Sequence, residues 1–435
     1  MTKPALPSSG NRTTRWEQRP RPADARIAGE REGRVRVGIA IDESPNAGGL
    51  AWRRTVTQSV TIASALSNAH DVIILSPDAE TVAMASRLGA SAHQVEPRGF
   101  GPLDELAQSR WGEDILRRLS RRVQPPRFAR AMDASIDAFG IDVLICPSPG
   151  PFAARTGDHL LVTGAPDLAH RDHPEFPEFR RSREFERRDR MLRRTLPRSL
   201  AVLVPSADIG VRVAGLYHVD RDRLVAMPPS PAVAPTEAPA PAPGLQVLAP
   251  GNLTPLGNHV LVVEALAEIR RTGGPALRVV IAGREMFPGY MDTIRGHAMA
   301  CGVADAITIV PDVTPNSLAR MIDESVFVVT AALDGSGMAS AVDAAARHRA
   351  SIGASFPGDE TIDGIRRCHP TDAGALARLM VAAVADRRHT DAGGRRAHEY
   401  FDEASRGGAE ALRKTFDDYA HLRMRWSSPS TWSQR

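Results

Sequence analysis

"APGNLTPLGNHVLVVEALAEI", residues 249–269, is the stretch on which the fold turns. The apolar run that leads into it, "GLQVLAPG" (244–251), has the length and glycine boundaries of a buried parallel strand. From Asn258 onward apolar residues recur at helical spacing, and a loop bearing glycine and proline turns the chain between the two. A strand that ends in a glycine turn and feeds a helix is half of a βαβ unit, so it predicts a parallel sheet. The rhythm continues through "LRVVIAG", a helix near residues 290–300, "AITIVP", a helix from Pro315, "VFVVTAA", a helix from about Gly337 and "ASIGAS". It also runs upstream, through "RVRVGIAI", a helix to about Asn68, "DVIILSP", "IDVLICP", "HLLVT" and "LAVLVPS". The expected fold is therefore α/β: two Rossmann-like, doubly wound parallel-sheet domains. Their strand ends face a common cleft, where open α/β sheets bind ligands.

Between the two series lies "PPSPAVAPTEAPAPAP" (228–243), with seven prolines in sixteen residues. Such a stretch has few N–H groups to place in a helix or central strand, and reads as an extended, protease-sensitive linker. Residues 1–33 are polar, rich in Arg and Pro and without periodicity, and read as a disordered tail. That places a first domain at 34–227 and a second at 244–395.

The chain of 435 residues carries a formal charge of +4, and Lys3 and Lys414 are its two lysines. Lysine chemistry is nearly excluded, and so mild a charge does not indicate nucleic acid as a partner. Cys146, Cys301 and Cys368 are odd in number and widely spaced, which fits neither a disulfide framework nor a metal site and suggests a reducing, cytoplasmic setting. No stretch approaches the roughly 18 apolar residues of a membrane span, and no apolar signal region opens the chain. The nine arginines from Arg180 to Arg198 are interleaved with Glu184, Glu186 and Asp189, so they read as a solvated helix face, with peripheral contact to an anionic membrane as the alternative.

Over roughly residues 35–423 the sequence resembles the retaining GT-B glycosyltransferases of family 4. The opening stretch is similar to that family's glycine turn, Pro-His-Lys-Asn-His and apolar helix. "LDGSGMASAVDAA" stands where the family has Glu-Gly-Phe-Gly, and "PDLAHRDHPEFPEF" resembles His-Asp-Leu-Gln-His followed by Pro-Glu-Phe. "FDEASRGGAEALRKTFDDY" resembles the closing helix, which implies a helix over 396–423 crossing back to the first domain and a tail over 424–435. The resemblance implies an acceptor-side first domain, a donor-side second domain, and transfer of a hexose from a nucleotide-diphosphate sugar to an acceptor with retention. The nucleotide sugar is then a substrate, and neither a cofactor nor a metal is expected.

Loss of the diphosphate builds negative charge on the leaving group, so the reaction needs fixed donors and cations there. The resemblance points to Asp167, His170 and Asp334 as catalytic candidates. For donor binding the candidates are Gly48, Gly49, Asn252, Asn258, His259, Arg284, Gly335, Ser336, Gly337 and Asp343. Several carry a second reading. Gly48 and Gly49 bring backbone near a ligand or merely make a turn; Asn258 donates to phosphate or caps a helix. His170 contacts acceptor or holds structure, Asp343 is a site acid or an exposed helix acid, and Arg284 is a phosphate cation or a solvated loop residue.

The sequence departs from the family pattern at Gly257, where the phosphate lysine would stand, at Asp334 and Val342 in place of the two acids, and at Pro166 in place of a histidine. If charge alone is missing at 257, Arg284 is the expected substitute and a lysine placed at 257 should strengthen diphosphate binding. These departures leave two functions open: a glycosyltransferase with an unusual donor site, or a catalytically impaired GT-B protein acting as an accessory or sugar-nucleotide-binding partner.

Overall fold

A computed structural model describes residues 33–41, 43, 49–95, 136–150, 153, 159–237, 242, 244–355 and 362–427. Gly48, most of the expected N-terminal tail and the end of the Pro-rich stretch lie outside the described residues.

The first domain holds seven strands: β1 (Arg36–Ala40), β2 (Asp71–Ser76), β3 (Ala92–Gln94), β4 (Val143–Cys146), β5 (Leu160–Gly164), β6 (Ser199–Val204) and β7 (Leu224–Ala226). They form one sheet in the order β3-β2-β1-β4-β5-β6-β7, and every neighbouring pair is parallel. The second domain holds β8 (Gln246–Pro250), β9 (Arg278–Ala282), β10 (Ile307–Val310), β11 (Val328–Thr330), β12 (Ser351–Ala354) and β13 (Arg366–Cys368). Its order is β10-β9-β8-β11-β12-β13, again parallel throughout. Both sheets reverse direction beside their first strand, which is where a doubly wound fold opens its crevice.

Twelve α-helices have their bounds among the described residues. In the first domain these are α1 (Leu50–Leu66), α2 (Ala79–Arg87), α3 (Ala169–Asp172), α4 (Pro177–Arg180), α5 (Glu184–Thr195) and α6 (Ala207–Tyr217). The second contributes α7 (His259–Arg271), α8 (Tyr290–Ala300), α9 (Pro315–Glu324), α10 (Ser336–Ala346), α11 (Ala373–Ala385) and α12 (Arg387–Ser427). Helix α1 shows why these segments are helical: Trp52, Val56, Ser59, Ala63 and Leu66 recur every three or four residues and are its buried face. None of the described helices is long and apolar enough to cross a membrane.

Two segments join the domains. Helix α12 begins earlier and ends later than the expected 396–423. Its Ala397 and Phe401 pack with Met338 and Ala341 of the second domain, whereas Leu412, Phe416 and Ala420 enter the core of the first with Val56 and Ile62. The Pro-rich segment is held to both domains. Ser230 N–H donates to Gln58 Oε1 at 2.6 Å, Ala232 N–H to Asp343 Oδ1 at 2.8 Å and Thr236 N–H to Ala346 O at 3.0 Å. Proline removes seven of the sixteen donors here, and these three find acceptors. Ser230, Ala232 and Val233 are buried rather than forming a free spacer.

Candidate functional site between the two sheets

The cleft is built from loops at the carboxyl ends of the strands: residues 165–168 after β5, 251–258 after β8 and 331–335 after β11. The first and third touch. A Cβ added to Gly335 would stand 3.0 Å from Pro166 O and 3.1 Å from Asp167 Cβ, so this approach of one domain to the other depends on glycine.

The contact places the expected acids Asp167 and Asp334 in one electrostatic environment. Burial, then the Asp167 carboxylate, push the Asp334 pKa up, against the opposing bonds from Ser336 and the charge of Arg188. Asp167 Oδ1 accepts from Ala169 N–H at 3.0 Å and lies 3.6 Å from Arg188 Nη1. Arg188, on α5, also bonds Glu184 Oε1 at 2.8 Å, stands over the Phe179 ring at 5.4 Å and stays 43% exposed. Burial works against its charge, but Asp167, Glu184 and Asp334 outweigh that and raise its pKa. An arginine read from sequence as part of a solvated face thus stands beside Asp167 and within electrostatic reach of Asp334. Its spacing of four from Glu184 announced the helical ion pair and nothing more.

The glycine turn of the second domain differs from its sequence reading. A Cβ at Gly257 would stand 2.5 Å from Asn252 O and 2.8 Å from the His259 ring. Position 257 has no room for lysine as the loop stands. His259 is 1% exposed, lies under the loop beside Tyr290, and burial depresses its pKa to about 4. It is a buried imidazole packed behind the turn. Asn258 sits at φ 51° as helix α7 begins, makes no side-chain cap, and donates through Nδ2 to Pro370 O at 3.0 Å. Asn252 is exposed, and its carbonyl accepts from Thr254 N–H at 3.0 Å.

At the start of α10 the chain caps itself. Asp334 Oδ1 accepts from Ser336 N–H at 3.0 Å and from the Ser336 hydroxyl, and Gly337 N–H donates to Asp334 O at 3.1 Å. The Ser336 and Gly337 amides are therefore engaged within the turn.

Four further candidates lie elsewhere. His170 is buried, with Nε2 3.1 Å from Tyr217 Oη and the Phe179 and Phe185 rings at its edges. Burial lowers its pKa despite Asp167 and Asp189, so it is a packed interior histidine. Asp343 is 1% exposed and paired with Arg54 of α1; it belongs to the domain junction because its helix face turns inward. Arg284 is 45% exposed, with Nε 4.0 Å from Asp312 Oδ1. Gly49, at φ 50°, starts α1 with open space where a Cβ would point. Among the described residues no group of three or more His, Cys, Asp or Glu side chains is placed to hold a metal ion.

A residue the sequence reading passed over ties the site together. Glu178 Oε1, on α4, accepts from Leu256 N–H at 2.9 Å, and Arg181 lies 4.0 Å over the Phe287 ring. Both contacts join the Pro-Glu-Phe region of the first domain to the second.

No family model matches the sequence, and no curated protein matches it. Solved structures do. HepE of Anabaena in complex with UDP and glucose aligns over 87% of this chain and 100% of its own, at 12% identity and a TM-score of 0.62. Sucrose-phosphate synthase of Thermosynechococcus elongatus aligns over 91% and 100%, at 15% identity and a TM-score of 0.62. The fold is GT-B. A variant of S. aureus TarM in complex with fondaparinux, alpha-GlcNAc-glycerol and UDP has the same architecture, at 11% identity, coverage of 88% and 99% and a TM-score of 0.62. A GT-B fold fixes where the cleft lies, and the side chains in it decide the chemistry.

Proposed function

We propose that the chain is a hexosyltransferase-type glycosyltransferase that moves a sugar from a nucleotide diphosphate to an acceptor with retention of configuration. The observation that carries this reading is the Asp167, Arg188 and Asp334 constellation at the cleft contact. Departure of the diphosphate needs a cation on the leaving group, and Arg188 is exposed enough to reach one while Asp167 and Glu184 hold its guanidinium. Burial and the Asp167 carboxylate raise the pKa of Asp334, so negative charge on Asp334 is disfavoured at the cleft contact. In this reading arginine supplies the charge that lysine supplies in the family.

The second reading, a catalytically impaired accessory protein, is favoured by a different observation: the closed packing at Gly257 and the self-capped start of α10. HepE and TarM were crystallised with UDP, so UDP and UDP-glucose are the first probes. Calorimetric titration with a panel of nucleoside diphosphates, followed by donor hydrolysis and transfer assays, separates the readings. Binding with turnover supports the transferase. Binding without turnover across a broad acceptor set supports the accessory protein, and no binding by any nucleoside diphosphate overturns both donor-site readings.

A further inference from the structure

The Leu256 peptide is gripped from both sides. Its N–H donates to Glu178 Oε1 of the first domain at 2.9 Å. Its carbonyl accepts from Leu333 N–H of the second domain at 2.9 Å, one residue before Asp334. Side chains reinforce the same line: Leu256 packs in a buried cluster with Ala169 and Phe179, and Leu333 is against it. The chain therefore runs without a gap from Glu178 through the backbone of one residue, Leu256, to the loop that carries Asp334, and that loop touches Asp167.

We propose that Glu178 is a positioning residue that closes the cleft, setting Asp334 against Asp167 through the Leu256 peptide. It rests on the reading of Asp167 and Asp334 as the reacting acids. The cost of the arrangement is visible, because Glu178 Oε2 is buried with no partner among the described residues. A buried acceptor left unsatisfied is unfavourable. An apolar residue would pack there without that penalty, but it would not hold the donor-side turn. The carboxylate couples domain closure to assembly of the acid pair: opened, the chain would part Glu178 from Leu256 and Asp167 from Asp334 together.

The test needs no turnover. In the full chain, hydrogen exchange of peptides spanning Leu256 and Leu333 reports the grip. The carbon-13 carboxyl titration of Asp334, assigned by its loss in Asp334→Asn, reports the proximity of Asp167. Glu178→Ala should speed Leu256 exchange about ten- to a hundredfold, the range for losing a hydrogen bond to a charged group, and move the Asp334 titration down. Glu178→Gln keeps an accepting oxygen at the same reach and should behave as the wild type, whereas Glu178→Asp, one methylene shorter, should behave as the alanine variant. Unchanged exchange and titration in Glu178→Ala overturn the proposal. If that variant does not fold, the remaining pair decides: Gln unchanged with Asp shifted supports it, and both alike overturns it. Correct placement without transfer would sink the transferase reading and leave the positioning role standing.

Discussion

Arg54 of α1 and Asp343 of α10 join the two domains through a two-pronged ion pair beside the linker. Arg54 Nη1 stands 2.9 Å from Asp343 Oδ1, Nη2 pairs with Oδ2, and Ala232 N–H completes the carboxylate at 2.8 Å. The two side chains are 16% and 1% exposed, so removing either leaves a charge in a site closed to water.

Arg54→Ala or Asp343→Ala alone should therefore cost about 3–5 kcal/mol, the range for breaking a buried pair. The double variant should cost clearly less than the sum. Denaturant unfolding of the four proteins measures the coupling, and additive effects would contradict it.

Gly257 sits in close packing that leaves no space for a side chain. Gly257→Ala should destabilise the chain by about 1–3 kcal/mol, as overpacking does, because its Cβ meets Asn252 O and the His259 ring. Gly257→Lys should be no more stable and should not tighten UDP binding. Stronger binding by the lysine variant would show that the turn opens readily.

Protonation of His259 is coupled to unfolding. Its pKa falls from 6.5 to about 4 on burial, so the folded state binds fewer protons than the unfolded state. The contribution is complete above about pH 6.5 and is lost as pH falls toward 4, amounting to about 3 kcal/mol. The drop in urea stability between pH 7 and pH 4.5 should be smaller in His259→Gln than in the wild type. Equal drops would place the imidazole in contact with water.

Diphosphate affinity should depend on Arg188 more than on Arg284. Arg188→Ala should weaken UDP about ten- to a hundredfold, as loss of a charge-assisted bond does, and leave uridine unaffected. Arg284→Ala should change little, since that side chain stands by Asp312. The reverse ranking would restore Arg284 as the phosphate cation.

Both sheets were legible because their central strands are short continuous apolar runs, buried on both faces. The strands that sequence did not announce are β3, β7 and β13, at three of the four sheet edges. An edge strand pairs on one side, and "AHQ", "LVA" and "RRC" are only three residues long, the first and last with no apolar run.

Sequence by itself determined the two α/β series and the glycine turn between strand and helix. The tertiary structure decided what each polar group meets. Local periodicity records which face of an element is buried, but it does not record the partner. Arg54 and Asp343 are separated by 289 residues, and Glu178 and Leu256 by 78. Such pairs exist only once two sheets, a pinned linker and a crossing helix have fixed one domain against the other. That packing turned an apparent surface arginine, Arg188, into a cleft cation. It also buried the side chains of His170, His259 and Asp343.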